Sequence, residues 1–451
     1  MVNDENEKDC IVRSPDTACM STPPAPVGFW AALRFWARLG CISFGGPAGQ
    51  IALLHAELVE RKRWISERRF LHALNYCMLL PGPEAQQLAT YLGWLMHRTA
   101  GGIAAGVLFV LPSLALLIAL SWLYMAHGQQ PLIAGLFDGL KPAVLALVIQ
   151  AAHRLGGRVL TTPLRWALAG GALVAVAGVG LPFPLVVLAA GLIGHLAAAR
   201  QAPAPAPPAA HGRPAWIDDD TPPPPHARFS RARLARLLGA GALLFALPYA
   251  ALWAWGGPVL TAMAGFFTRA ALVTFGGAYA VLPYVFQGAV EQHGWLTAAQ
   301  MMDGLALGET TPGPLIMVVA FVGFAGGWSQ AVLGPGLLPA GGALAAVVAT
   351  WFTFLPSFLF ILVGGPLVER TQHMPRLAGA LSAITAAAVG VILSLALAFA
   401  TQLLWAHGRV QWAPALLAAA ATVALLRFRV GLLPLLAACG ALGIAARLIG
   451  A

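Results

Sequence analysis

Leu80-Pro81-Gly82-Pro83-Glu84 interrupts an apolar stretch running from 70 to 97, and 231 residues further on Thr310-Thr311-Pro312-Gly313-Pro314 interrupts another. The prolines of such a motif stop one helix and start the next, because proline lacks the N–H that a helix interior needs but is accepted in a first turn. Lipid tolerates irregular backbone only where protein buries it or it lines a wet cavity, so a break at membrane depth marks a candidate pathway. Working outward, Phe44-Gly45-Gly46 recurs as Phe275-Gly276-Gly277, Glu60 as Glu291 and Trp64 as Trp295, all at the offset of 231. Leu111-Pro112-Ser113 matches Leu355-Pro356-Ser357 at 244, which places a 13-residue Gly/Pro-rich insertion near 334–342. The chain is an internal duplication, a common build of secondary transporters.

Composition agrees with a polytopic membrane protein. Of 451 residues, 59% are hydrophobic and 10% charged, against about 25% charged in soluble domains, which excludes an ordinary soluble protein. At about 20 apolar residues per span there is room for on the order of ten spans in the lipid bilayer. The net charge of +10 comes from 27 Lys+Arg against 17 Asp+Glu; in a polytopic chain that surplus belongs first to cytoplasmic loops, so no nucleic-acid partner is read from it. Residues 1–28 are polar, lack the pattern of a signal peptide and read as a cytoplasmic tail. Five dispersed cysteines give no disulfide framework and no metal site. No Walker A, HExxH or GxSxG pattern occurs, so the chain does not read as an enzyme and no cofactor is expected.

Residues 200–236 combine Ala/Pro low complexity, Asp218-Asp219-Asp220, Pro222 to Pro225 and several arginines. They read as a disordered cytoplasmic linker between two membrane repeats, 29–199 and 237–451. Orientation follows from one loop in each repeat: 57–69 holds Arg61, Lys62, Arg63, Arg68 and Arg69, whereas its counterpart 288–300 has no Lys or Arg. By the positive-inside rule the two copies face opposite sides, an inverted repeat. If the segments broken at Phe-Gly-Gly and Pro-Gly-Pro turn back on themselves, Arg154, Arg158, Arg165 and the linker all fall inside. The expectation is an all-α fold with four re-entrant segments and nine crossings: 101–125, 132–152, 166–180, 181–199, 237–255, 340–363, 376–404, 411–427 and 430–449. The inside loop after the sixth carries Arg370 and Arg376.

The breaks supply the candidate site. A half-helix starting at mid-membrane presents free N–H groups and a positive dipole end, suited to an anion. Pro81, Gly82, Pro83, Pro312, Gly313 and Pro314 would form it, with Thr310 and Thr311 as hydroxyl donors. Gly45, Gly46, Pro47, Gly276 and Gly277 would let backbone approach a ligand closely. Lys141, opening an apolar run, and the repeat-related Arg38 and Arg269 are candidate counter-charges, with span-end snorkelling as the competing reading. Gln50, Asn75, Gln86 and Gln87 lie near the breaks and could hydrogen-bond an oxyanion or glue helices. Glu84 could cap its half-helix or take part in proton coupling; Glu309 precedes a break, at a helix end that repels a negative charge, and is the main candidate for proton coupling, with a structural ion pair to an arginine such as Arg269 as the competing reading. For the whole set, the alternative is that the Pro/Gly breaks only shape helix packing.

These motifs, Ser43-Phe44-Gly45-Gly46-Pro47, Leu80-Pro81-Gly82-Pro83-Glu84-Ala85, Thr274 to Tyr284 and Gly308-Glu309-Thr310-Thr311-Pro312-Gly313-Pro314-Leu315, resemble the signatures of the chromate ion transporter family over about 29–400. The resemblance implies a long, two-domain permease of the bacterial inner membrane that exports chromate with the proton motive force and confers chromate resistance. It also implies protons as coupling ion; a second copy of the chain is a further candidate partner. Sulfate has nearly the size and charge of chromate, so an uptake permease for sulfate or another oxyanion stays open, as does, at greater remove, a membrane enzyme.

Overall fold

Backbone without water must satisfy itself, which drives apolar segments into helix. The computed structural model describes residues 23–198, 214–222, 224–227, 229–255, 257–275, 277–366, 375–406 and 409–449. The first repeat holds α1 (Phe29–Ile42), α2 (Gly46–His55), α3 (Glu67–Leu79), α4 (Glu84–His127), α5 (Pro131–Val159), α6 (Pro163–Leu173) and α7 (Phe183–Ala198). The second holds α8 (Arg231–Ala254), α9 (Pro258–Val273), α10 (Ala278–Phe286), α11 (Ala298–Thr310), α12 (Val318–Ser329), α13 (Leu338–Gly364), α14 (Pro375–Leu404), α15 (Trp412–Leu426) and α16 (Leu432–Ile449). A two-residue hairpin pairs β1 (Trp405–Ala406) with β2 (Arg409–Val410). A π-turn extends α2 over Ala56–Arg61 and α10 over Gln287–Gln292, so the duplication copies even this local irregularity at the 231 offset.

At 1.5 Å per residue α4 would be about 66 Å long, twice the hydrocarbon core. It is folded double. His97 and Arg98 leave helical geometry, with φ of 58° at Arg98, and the arm 84–96 packs back on 99–127. The arms touch backbone to backbone: a Cβ on Gly93 would come within 2.5 Å of the Gly101 carbonyl oxygen. The second repeat builds the same hairpin from α12 and α13, where a Cβ on Gly323 would meet the Ala345 carbonyl oxygen at 2.6 Å. Its longer turn, 330–337, accommodates part of the insertion read from the offsets.

Contacts then trace the path. The Phe29 ring stacks edge-on to His97 at 5.7 Å, and Gly40 lies against Leu108, halfway down the long arm of α4. Trp64, past the break, is back beside Phe35 with ring centroids 4.8 Å apart. Tyr76 and Tyr91 pair across the second break. Both broken segments of the first repeat therefore enter and leave on the face of His97, the near face. In the second repeat Trp295 packs on Phe266 at 5.5 Å and beside Gly326 at the end of α12, while Asp303 of α11 meets Tyr124 at the opposite end of α4. Those segments enter from the far face: the repeat is inverted. The largest buried cluster draws on α4, α5 and α8 to α16. Among the described residues, six helices are long and apolar enough to cross a membrane by length and composition, and five shorter apolar ones accompany them.

Three sequence expectations change. The linker, expected to be disordered throughout, holds an ordered strap: Trp216 N and Ile217 N donate to the carbonyls of Arg63 and Trp64, and Ser66 N donates to Ile217 O, at 3.0 to 3.1 Å. Ser66 Oγ donates to Asp219 at 2.6 Å, and the His226 ring donates to Trp94 O at 2.9 Å. Burial pushes the His226 imidazole below its ordinary pKa, so the neutral ring docks. The backbone groups of the 63–66 loop find in the strap the partners that low complexity could not announce. Secondly, α8 starts at Arg231 rather than 237. Thirdly, α5 runs on to Val159, so Arg154 and Arg158, read as loop residues, stand in its last turns. The expectations for residues 1–22, the linker's first part and Arg370 lie outside the described residues; so does the side chain of Arg376.

Candidate functional site

The breaks of the two repeats cross at one centre. Gly82 N donates to Thr274 O and Gly313 N to Ser43 O, both at 2.8 Å. Gly82 and Gly313, like Ser43 and Thr274, are repeat partners, so the two bonds are one contact made twice, as a pseudo-two-fold axis requires. The same reciprocity governs the crossing helices. A Cβ on Gly82 would lie 2.4 Å from Ser357 Oγ, and one on Gly313 would lie 2.6 Å from Ser113 Cβ. The φ values of these glycines, 129° and 110°, are ones that side-chain-bearing residues rarely adopt.

From this crossing the half-helices diverge. Pro83 precedes α4 and Pro314 precedes the 3-10 turn Leu315–Met317 that leads into α12; neither start has a side-chain cap. Their first N–H groups lack helical partners, and each N-terminus carries about half a positive charge. The α2 start is similar: Gly45 is left-handed at φ 93° and Pro47 sits in the first turn. Gly277 precedes α10 with φ 93°; Gly276 lies outside the described residues. The buried glutamines come from one repeat only. Gln50, Gln86 and Gln87 are buried, with their amides donating to Ser43 O and Gly313 O, Thr90 Oγ1, and Pro81 O respectively. Their repeat partners are Val281, Met317 and Val318. The three glutamine Oε1 atoms and the hydroxyls of Ser113 and Ser357 have no hydrogen-bond partner among the described residues.

Glu309 is buried and accepts a hydrogen bond from the Tyr279 hydroxyl rather than pairing with Arg269. Glu84 opens α4, with an oxygen 3.8 Å from where a Gly277 Cβ would be. Two cations absent from the sequence candidates face these carboxylates electrostatically: Arg154 acts on Glu309 and Tyr279, Arg158 on Glu84. They lie four residues apart on α5, one helix face, and both are exposed. That spacing was the available signal; reading them as loop charges concealed it.

Other candidates are placed elsewhere or otherwise engaged. Thr310 and Thr311 donate their hydroxyls to Leu307 O and Gly308 O of their own helix. Lys141 Nζ lies 3.0 Å from Asp138 and 3.9 Å from Asp303, while Arg447 bonds Asp138 at 3.3 Å and Tyr124 donates to Asp303 at 2.8 Å. Lys141 is thus neutralised within an ion cluster toward the far face. Arg38 is exposed on α1. Arg269, bonded to Gly265 O, opens onto a groove with Tyr249, Trp253 and Thr261. Asn75 is on α3, one turn before the break.

Comparison with known proteins follows the same division. Residues 30–195 and 261–444 each match the chromate transporter family model. A chromate transport protein of Pseudomonas aeruginosa is 32% identical over 387 residues, covering 84% of this chain and 83% of that one. One from Cupriavidus metallidurans is 30% identical over 384 residues, covering 84% of each. An uncharacterized transporter of Bacillus subtilis, YwrB, is 28% identical over 123 residues, 27% of this chain and 62% of its own. No solved structure matches.

Proposed function

Since the chain belongs to the chromate transporter family, we propose that it exports chromate across the bacterial inner membrane, coupled to the proton motive force, and so confers chromate resistance. The observation carrying this reading is the reciprocal crossing of the two Pro-Gly-Pro breaks, which aims two uncapped half-helices at one polar centre. Chromate is a tetrahedral dianion, and helix N-termini in a site sheltered from water attract it more strongly than they would in bulk. Each 100 mV of inside-negative potential favours outward movement of a dianion by about 4.6 kcal/mol. Uptake would have to carry at least two protons merely to cancel that charge.

Gly45, Gly46, Pro47, Pro81 to Pro83 and Thr310 to Pro314 frame the path, and Gly276 and Gly277 complete it. Glu309 and Glu84 are the coupling carboxylates. For proton entry to drive dianion exit, proton and dianion must use the centre in turn, since joint binding would carry protons outward with the anion. The near face is cytoplasmic, with the N-terminus and linker, because it carries the 57–69 arginines and the basic start of α8.

Expression in a chromate-sensitive host tests transport: chromate accumulation is expected to fall several-fold and to recover with a protonophore. Unchanged accumulation and resistance overturn the reading, and increased sulfate uptake instead establishes the sulfate permease. For sidedness, Lys62→Cys and Glu291→Cys in a cysteine-free chain are expected to react with an impermeant thiol reagent from opposite faces. Labelling from one face overturns the assignment.

A further inference from the structure

Serine and threonine hydroxyls inside apolar helices ordinarily donate to a carbonyl three or four residues back. This chain does so at Ser43, Thr274, Thr350, Thr353 and Ser394, which bond Leu39, Ala270, Ala346, Ala349 and Val391. Three buried serine hydroxyls, those of Ser113, Ser121 and Ser357, depart from the pattern and have no partner among the described residues. Of these, Ser113 and Ser357, each 1% exposed, stand at equivalent positions of the two repeats. A buried hydroxyl left unpaired is destabilising. Two at equivalent positions of an inverted repeat point to a shared use.

Their surroundings indicate which. Each sits behind a helix proline, Pro112 or Pro356, and each faces the Pro-Gly-Pro loop of the other repeat, Ser357 at Gly82 and Ser113 at Gly313. Those glycines present no Cβ, so the hydroxyls lie directly against the loops from which the uncapped half-helices start. The centre therefore holds two sets of donors, each a half-helix N-terminus with a free hydroxyl, related by the pseudo-two-fold axis. A tetrahedral oxyanion has two-fold axes of its own and accepts hydrogen bonds at every oxygen. It can present two oxygens to each set.

We propose that Ser113 and Ser357 donate directly to the transported oxyanion, one from each repeat, and hold it on the axis between the two loops. This rests on the transport reading above and assigns its ligands. The half-site beside Gly82 also has Gln86 and Gln87, where the other has Met317 and Val318, so the two serines are equivalent in geometry but not in surroundings.

The test uses purified full-length protein, with chromate and sulfate as probes, and the variants Ser113→Ala, Ser357→Ala and both together. A hydrogen bond to an ionic partner predicts roughly 10- to 100-fold weaker binding for each single change and no measurable binding for the double. The melting temperature without anion should stay level or rise, since an unpaired hydroxyl is removed, while the rise in Tm on adding anion should vanish. A wild-type protein that binds chromate while either single variant binds equally well overturns the serine assignment alone. A lower anion-free Tm with unchanged affinity gives the hydroxyls a structural role and overturns it too. A wild-type protein that binds neither anion removes the transport reading, and the serine assignment with it.

Discussion

Gly313→Ala is expected to abolish transport and to reduce the yield of folded protein sharply, more than the equivalent change at Gly82. Both glycines have φ values that alanine tolerates poorly, a strain of about 1–3 kcal/mol. The neighbours differ. At Gly313 the new Cβ would meet Ser113 Cβ at 2.6 Å, an atom fixed to its backbone. At Gly82 it would meet Ser357 Oγ at 2.4 Å and the Gln87 amide at 2.6 Å, both at the ends of side chains that can rotate away. Overpacking adds about 1–3 kcal/mol where nothing yields, so Gly313→Ala should cost on the order of 2–6 kcal/mol. The check is monodisperse yield and Tm for the two variants side by side. Adding Ser113→Gly to Gly313→Ala removes the clash and should restore part of the yield but not transport. A Gly313→Ala protein as stable as wild type would show that the loops do not cross as described.

Glu309→Gln is expected to turn pH-dependent chromate transport into transport that is flat with pH, in a protein of normal yield. Glutamine keeps the carbonyl that accepts from Tyr279 but cannot gain or lose a proton. The arrangement around Glu309 makes it a sensitive point: it is buried on the last turn of α11, within the electrostatic reach of Arg154 of α5. Flux in proteoliposomes with and without a pH gradient is the measurement. Downhill flux should persist, while accumulation driven by the gradient should be lost. Tyr279→Phe supplies the control, because it removes the hydrogen bond but leaves the carboxyl, and pH dependence should survive it. If Glu309→Gln keeps the wild-type pH dependence, Glu309 has no part in coupling.

Much of this was legible in one dimension because membranes make sequence unusually literal. Apolar runs must be helical, Pro-Gly-Pro must interrupt them, and a constant offset across both motifs must mean duplication. Lys and Arg in the 57–69 loop against their absence from 288–300 were enough to read the inversion that the contacts of Trp64 and Trp295 display. The failures share one cause, which is that charge and polarity report solvent exposure without saying where the water is. Arg154 and Arg158 look like loop residues because they are charged, yet they continue α5, close enough for their charge to act on the central carboxylates. Lys141 looks like a lone cation in an apolar run, but Asp138, three residues before it, lies 3.0 Å away, and only the fold adds Asp303 at 3.9 Å and joins Arg447 to the cluster. The linker strap escaped for the converse reason: its order comes from backbone partners in another segment, which composition does not record.

By itself, then, the amino-acid order determined the helices, their breaks, the duplication and the inversion, since each depends on local backbone chemistry or on comparing one stretch with another. Only the tertiary structure decided what meets at the breaks. The bonds from Gly82 to Thr274 and from Gly313 to Ser43 join segments far apart in the chain, and no local pattern encodes the axis that relates them. The same packing left Ser113, Ser121 and Ser357 without partners among the described residues while satisfying serines and threonines such as Ser43 and Thr274 in similar helical settings. Whether a buried hydroxyl is paired depends on what the rest of the chain places beside it, which is why two serines that served the sequence only as repeat markers become, in three dimensions, candidate ligands.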